Sequence, residues 1–245
     1  MKIGLVQYNI KWEDKENNKV KLLSLLEKFK ATSADWLIFP EMTLSGFSMD
    51  VNKTTLSTTD VDFFKSIAKK FDSLVTFGGV INKKNIAITV NPAGDVVNEY
   101  SKMHLFSYSN ETNYYEPGTL RTGFDVAGLT VLPNVCYDLR FSNLFWDYAQ
   151  STDIFLVIAS WPKSRADHWK TLLKARAIEN QCYVVGVNRV GDDPKSQYSG
   201  DSSVYGPFGE EIINAGSSEG LFFAELSKTA VLNTRKQYPF LNDRK

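Results

Sequence analysis

Apolar residues recur along this chain in two patterns: compact runs of four to eight residues, and longer stretches in which they return every three or four positions. The first pattern suits buried strands and the second amphipathic helices. Ile3 to Tyr8 reads as a strand. Lys19 to Lys30 follows with Val20, Leu22, Leu23, Leu25, Leu26 and Phe29 at helical spacing, and Trp36 to Phe39 is the next strand. Strand, helix, strand in that order argues for parallel pairing. A second helix is expected over Val61 to Phe71, with Phe63, Phe64, Ile67, Ala68 and Phe71 on one face. Three strands come next, Leu74 to Ile81, Asn85 to Asn91 and Asp95 to Tyr100. They are divided by Asn82-Lys-Lys and Pro92-Ala-Gly, turns of the kind that make hairpins.

The second half repeats the order. Strands are expected at Leu129 to Val135, Ile154 to Ala159 and Cys182 to Asn188, with helices near Asn143 to Gln150 and over Asp167 to Asn180. Ser202 to Tyr205, Glu211 to Ile213 and Leu221 to Leu226 add three more strands. The repeated order suggests two sheets facing each other with helices outside. No linker is long enough to separate independent units, so residues 1–245 are expected to form a single domain.

Composition narrows the function classes. A hydrophobic fraction of 43% and a charged fraction of 23% are ordinary for a soluble globular chain. Lys plus Arg equals Asp plus Glu at 28 each, so no charge excess draws the chain to nucleic acid or an anionic membrane. The opening residues lack the apolar length and small-residue cleavage site of a signal peptide, and no run reaches a membrane span of roughly 18 residues. A cytoplasmic location is therefore expected. Cys136 and Cys182 are the two cysteines, too few for a disulfide framework, and both are expected as free thiols.

Three polar residues stand where apolar runs stop: Glu41 after Trp36-Leu-Ile-Phe-Pro, Lys102 after Val96-Val-Asn-Glu-Tyr-Ser, and Cys136 after Leu129-Thr-Val-Leu-Pro-Asn-Val. Strand ends along one edge of a parallel sheet converge. A thiol is the strongest nucleophile among neutral-pH side chains, but with a pKa near 8.5 it needs help. A carboxylate can take its proton, and an ammonium can hold the anion that develops on an attacked carbonyl. Taken singly, Cys136 reads as packing and Glu41 and Lys102 as surface charges. Cys182, which begins an apolar strand, keeps the packing reading.

The segments Phe39-Pro-Glu-Met-Thr-Leu-Ser-Gly-Phe47, Tyr100-Ser-Lys-Met-His-Leu-Phe106 and Asn134-Val-Cys-Tyr-Asp-Leu-Arg-Phe141 together resemble the glutamate, lysine and cysteine motifs of the nitrilase superfamily of carbon-nitrogen hydrolases. The resemblance continues through His168 to Asn180 and Gly200 to Ser203. It covers nearly the whole chain and is nearest to the omega-amidase branch through Ala159-Ser-Trp-Pro162, Arg176 to Gln181 and Gly186 to Gly191. It implies an α/β fold, a four-layer α-β-β-α sandwich, and hydrolysis of a terminal amide such as that of 2-oxoglutaramate, without metal or cofactor. It also implies Cys136 as nucleophile, Glu41 as general base, Lys102 as oxyanion stabiliser with the backbone N–H of Tyr137, and association as at least a homodimer. Glu111 matches the family's additional glutamate by its spacing before Pro117-Gly118, with Glu116 as rival. Ser142 departs from the pattern, since relatives commonly carry proline there.

Arg140 is a candidate for holding a substrate carboxylate, because guanidinium matches that group bidentately. A structural salt bridge to Asp138 or another acid is the alternative. Phe47, Tyr137, Trp161 and His168 are candidate pocket residues. A cysteine-histidine pair through His104 or His168 is the competing mechanism. Within the enzyme class the rivals are an N-carbamoyl amino acid hydrolase and an aliphatic amidase. Outside it, the rival is an inactive fold member acting as an interaction protein.

Overall fold

The apolar runs become strands because their side chains have two cores to fill. The structure, a computed structural model, describes residues 1–29, 31 and 34–244. The elements run β1 (Lys2–Gln7), α1 (Lys15–Lys28), β2 (Trp36–Ile38), α2 (Val51–Thr54), α3 (Thr58–Phe71), β3 (Leu74–Ile81), β4 (Lys84–Val90) and β5 (Val96–Ser101). Then follow β6 (Phe124–Val126), β7 (Leu129–Val135), α4 (Asn143–Trp146), β8 (Ile154–Ala159), α5 (Ala166–Asn180) and β9 (Tyr183–Asn188). The chain finishes with β10 (Val190–Asp192), β11 (Gln197–Ser199), β12 (Ser203–Tyr205), β13 (Glu211–Asn214), β14 (Gly220–Glu225) and α6 (Lys228–Gln237).

Two six-stranded sheets form, ordered β14-β1-β2-β3-β4-β5 and β13-β12-β9-β8-β7-β6. Each has three parallel strands at its centre, β1, β2 and β3 in one and β7, β8 and β9 in the other, flanked by antiparallel strands. Period-two alternation sorts their side chains into layers. Along β8, Ile154, Leu156 and Ile158 enter the core between the sheets, while Phe155, Val157 and Ala159 pack with Trp169, Leu173 and Ala177 of α5. Along β1, Ile3 and Leu5 join the inter-sheet core, and Val6 packs with Leu22 and Leu26 of α1 and Phe64 and Ile67 of α3. The architecture is thus α-β-β-α.

Several boundaries differ from the sequence expectation. α1 begins four residues before Lys19, where Asp14 caps it by accepting from the Asn17 N–H. Its expected last residue, Lys30, lies outside the described residues. The helix expected near Asn143 to Gln150 ends at Trp146. Trp146, Asp147, Tyr148 and Gln150 are all exposed, so no apolar stripe carries it further. The strand expected from Leu221 leaves the second half altogether: β14 pairs antiparallel with β1, Lys2 opposite Glu225. The β10–β11 hairpin, β6, α2 and α6 were not legible, being short or weakly patterned. Among the described residues no helix is long and apolar enough to cross a membrane.

Candidate active site

Three strand ends meet at one edge of the sandwich. Glu41 lies three residues past β2, Lys102 directly follows β5, and Cys136 directly follows β7. Gly78 on β3 allows the first approach, since a Cβ there would stand 2.6 Å from Met42 N and 2.8 Å from Glu41 Cα. Met42 turns in the left-handed region at φ 45°. Lys102 is fixed by its backbone N–H, which donates to Asn85 O at 2.8 Å.

Cys136 also adopts a left-handed backbone, φ 48°, a conformation that costs a non-glycine residue on the order of 1 kcal/mol or more. What holds it there is Asp138, buried two residues later. Its carboxylate accepts from Val135 N at 3.0 Å, Tyr100 Oη at 2.9 Å and His104 N at 2.8 Å. The turn that carries the thiol is thereby tied to the strand end that carries Lys102.

Glu41, Lys102 and Glu111 are wholly buried and share one hydrogen-bond network. Lys102 Nζ donates to Glu41 Oε1 at 3.0 Å and to Glu111 Oε1 and Oε2 at 3.1 and 2.9 Å. Asn85 Nδ2 donates to both carboxylates, at 2.7 Å to Glu41 and 3.0 Å to Glu111. Glu41 Oε2 accepts from the Ser160 backbone N–H at 2.8 Å, and Glu111 Oε2 from that of Phe106 at 2.6 Å. Every carboxylate oxygen is occupied, as burial of charge requires. Glu116 is exposed and outside the network.

Burial alone would pull the Lys102 pKa down, but Glu111 and Glu41 outweigh it and the net shift is upward, so Lys102 is an ammonium ion. Cys136 moves upward too, first through desolvation and then through the Glu41 charge, which the Lys102 charge only partly offsets. The resting sulfur is therefore a neutral thiol. For such a thiol to act as a nucleophile, a base would have to take its proton.

A cavity of about 310 Å³ opens over Cys136 and Lys102, at the small end of the roughly 300–1,000 Å³ typical of small-molecule sites. Phe47, Tyr137, Arg140 and Trp161 line it, as the sequence suggested. Phe47 lies under the ammonium, its ring centroid 5.0 Å from Lys102 Nζ. His168 does not line it: the ring is exposed and its Nδ1 accepts from Arg140 Nη2 at 3.1 Å. It lies in the first turn of α5, and its contact with Arg140 is one that sequence position alone does not fix. Arg140 is not paired with Asp138 but stacks on Trp161 at 4.8 Å. The histidines serve other partners than the thiol, because β5 stops at Ser101 and His104 Nδ1 then sits 3.2 Å from Asp138.

Asn85, Ser160 and Asp138 escaped the sequence reading. Asn85 had a signal: on β4 it shares a face with Ala87 and Thr89, a polar residue on a buried strand. Ser160 acts through its backbone and leaves none. Among the described residues no group of His, Cys, Asp and Glu could hold a metal ion.

The chain is similar to known proteins over nearly its full length. It is 37% identical to omega-amidase YafV of Escherichia coli (strain K12), across 99% of this chain and 96% of that protein. It is 30% identical to 2-oxoglutaramate amidase of Bacillus subtilis (strain 168), across 98% and 96%. Its fold matches a CN-hydrolase superfamily protein from Xanthomonas campestris, solved with an arsenic adduct in the active site, at a TM-score of 0.92 and 32% identity over 100% and 97% of the two chains. With the carbon-nitrogen hydrolase model matching residues 2–236, the chain belongs to that family and is a hydrolase of amide carbon-nitrogen bonds.

Proposed function

We propose that this chain is an omega-amidase, hydrolysing the terminal amide of a small carboxylate-bearing substrate such as 2-oxoglutaramate to acid and ammonia. The observation that carries the reading is the Lys102 ammonium held between two buried carboxylates at the base of the cavity into which Cys136 opens. As the neutral thiol attacks the amide carbon, Glu41 takes its proton. Lys102 and the Tyr137 N–H stabilise the oxyanion, which appears only during reaction and so lowers the barrier selectively. Glu41 returns the proton to the leaving nitrogen, ammonia departs, and a thioester remains on Cys136. Glu41 then activates water, and hydrolysis of the thioester releases the acid. Glu111 keeps Lys102 charged and aimed.

The same reading makes the whole chain one domain, supported by the core the two sheets share, and places it in the cytoplasm as a homodimer acting on small molecules, not on nucleic acid or membranes. Light scattering of the purified chain tests the dimer. Ammonia release from 2-oxoglutaramate, glutamine, simple amides and N-carbamoyl amino acids tests the activity. The reading requires 2-oxoglutaramate or a close analogue to be the best substrate. Release from carbamoyl amino acids alone would move the chain to another branch. No release from any of them, with Cys136→Ala indistinguishable from wild type, would leave an inactive fold member.

A further inference from the structure

We infer that Arg165, not Arg140, reads the carboxylate of the substrate; this rests on the omega-amidase reading and assigns the group that gives it selectivity. Apart from the committed Lys102, three cations border the cavity: Arg140, Arg165 and Lys195. Arg140 is already engaged, with one N–H given to His168 Nδ1 and its guanidinium carbon 4.8 Å from the Trp161 ring centroid. Lys195 is exposed, where water hydrates and screens its charge. Arg165 differs from both. Like Arg140 it is half-buried, but among the described residues no carboxylate or hydrogen-bond acceptor takes its guanidinium, which lies over Phe106 at 5.4 Å. A half-buried guanidinium without an anion has donors to offer a ligand.

Its backbone is held in place. Arg165 O accepts from Trp161 Nε1 at 2.8 Å, and its N–H donates to Pro162 O at 3.0 Å, so the residue sits on a fixed turn between β8 and α5. The cavity runs from this turn to the thiol. Phe106, beneath the guanidinium, packs at 4.9 Å against Tyr137, the neighbour of Cys136. The one carboxylate on this wall, Asp193, is occupied by the N–H groups of Lys195 and Ser196 and by Tyr198 Oη. At about ten water volumes of ~30 Å³ each, the cavity suits a short chain with an amide at one end and a carboxylate at the other.

The test compares ammonia release from succinamate, from butyramide as its neutral counterpart, and from 3-aminopropanamide as its cationic one, in wild type and in R165Q, R165K, R165E and R140Q. Wild type should prefer succinamate. In R165Q the ratio of kcat/KM for succinamate over butyramide should fall about 30-fold or more, mainly through KM, as loss of a charge-assisted bidentate contact implies. R165K should retain part of the ratio, and R165E should raise 3-aminopropanamide over succinamate, a gain that a misfolded variant could not show. Wild-type selectivity in R165Q together with its loss in R140Q would overturn the inference and leave the proposed function standing. Absence of any succinamate preference in wild type would overturn both.

Discussion

The two halves of the molecule bring opposite kinds of group to the cavity. The first sheet and its loops supply Glu41, Asn85, Lys102 and Glu111, all fully buried and bonded to one another. The second sheet supplies Cys136, Tyr137 and Trp161, with Arg140 and Arg165 from the turns that follow its strands. Cys136 is half-exposed and neutral, and both arginines reach solvent. Charge is sealed in the first half, where each ion is compensated in place. In the second half it stands at the rim, where a ligand can meet it. Buried ions cost several kcal/mol each unless paired, so the first half must be complete before substrate arrives, whereas the rim can leave donors for substrate.

That contrast can be broken most severely at the thiol. Cys136→Ala should lower ammonia release by roughly 10⁴-fold or more if Cys136 is the covalent nucleophile proposed, while the protein stays folded. Cys182→Ala, remote in the core beneath α5, should keep turnover. Its thiol, pushed up to about 12 by burial, has no partner chemistry to lose. Equal losses in the two variants would remove the distinction between a reacting and a packing cysteine.

Lys102→Met comes next. Turnover should fall about 10³-fold if Lys102 stabilises the oxyanion as proposed. Urea unfolding should also show a loss of about 3–5 kcal/mol, since Glu41 and Glu111 are left as facing buried carboxylates. A loss of activity without a loss of stability would mean that the first-half network is not the compensated unit described. Asn85→Leu removes the donor shared by both carboxylates and should cost about 1–3 kcal/mol. Its effect on turnover should be smaller than that of Lys102→Met, because Asn85 positions Glu41 and does not face the reacting atoms.

The smallest effect is in the pH dependence of stability. The upward shift of Lys102 means that its ammonium is favoured in the fold. Its contribution is complete below the unfolded lysine value of about 10.4 and is lost as pH rises beyond that towards the folded value. The raised Cys136 thiol gives the same sign, beginning near its unfolded value of about 8.5. Urea midpoints should therefore decline on the alkaline side, the cysteine part beginning first. Lys102→Met should flatten the portion above about pH 10. An unchanged slope there would mean that the ammonium gains nothing from its neighbours.

Much of the fold was legible because strand and helix periods are local. β7 and β8 have the bounds that their apolar runs suggest, and α5 begins one residue early. The strand-end position of Cys136 was legible for a similar reason: the run that ends at Val135 stops directly before it, and the residues around it form a contiguous motif. Elements of three residues, such as β10 and β11, are too short to carry a period, so their hairpin appears only when the chain closes on itself.

By itself, then, the sequence determined the element order, the paired halves and the identity of the groups that could do chemistry. Tertiary structure decided which of them are partners. Ser160 reaches Glu41 across 119 residues, and Asn85 joins two glutamates that stand 70 positions apart. It also decided that Arg140 gives an N–H to His168 at the cavity wall, and that among the described residues no acceptor takes the Arg165 guanidinium over Phe106. Side-chain direction in a turn and the convergence of distant strand ends depend on packing between sheets. No window of neighbouring residues contains that information.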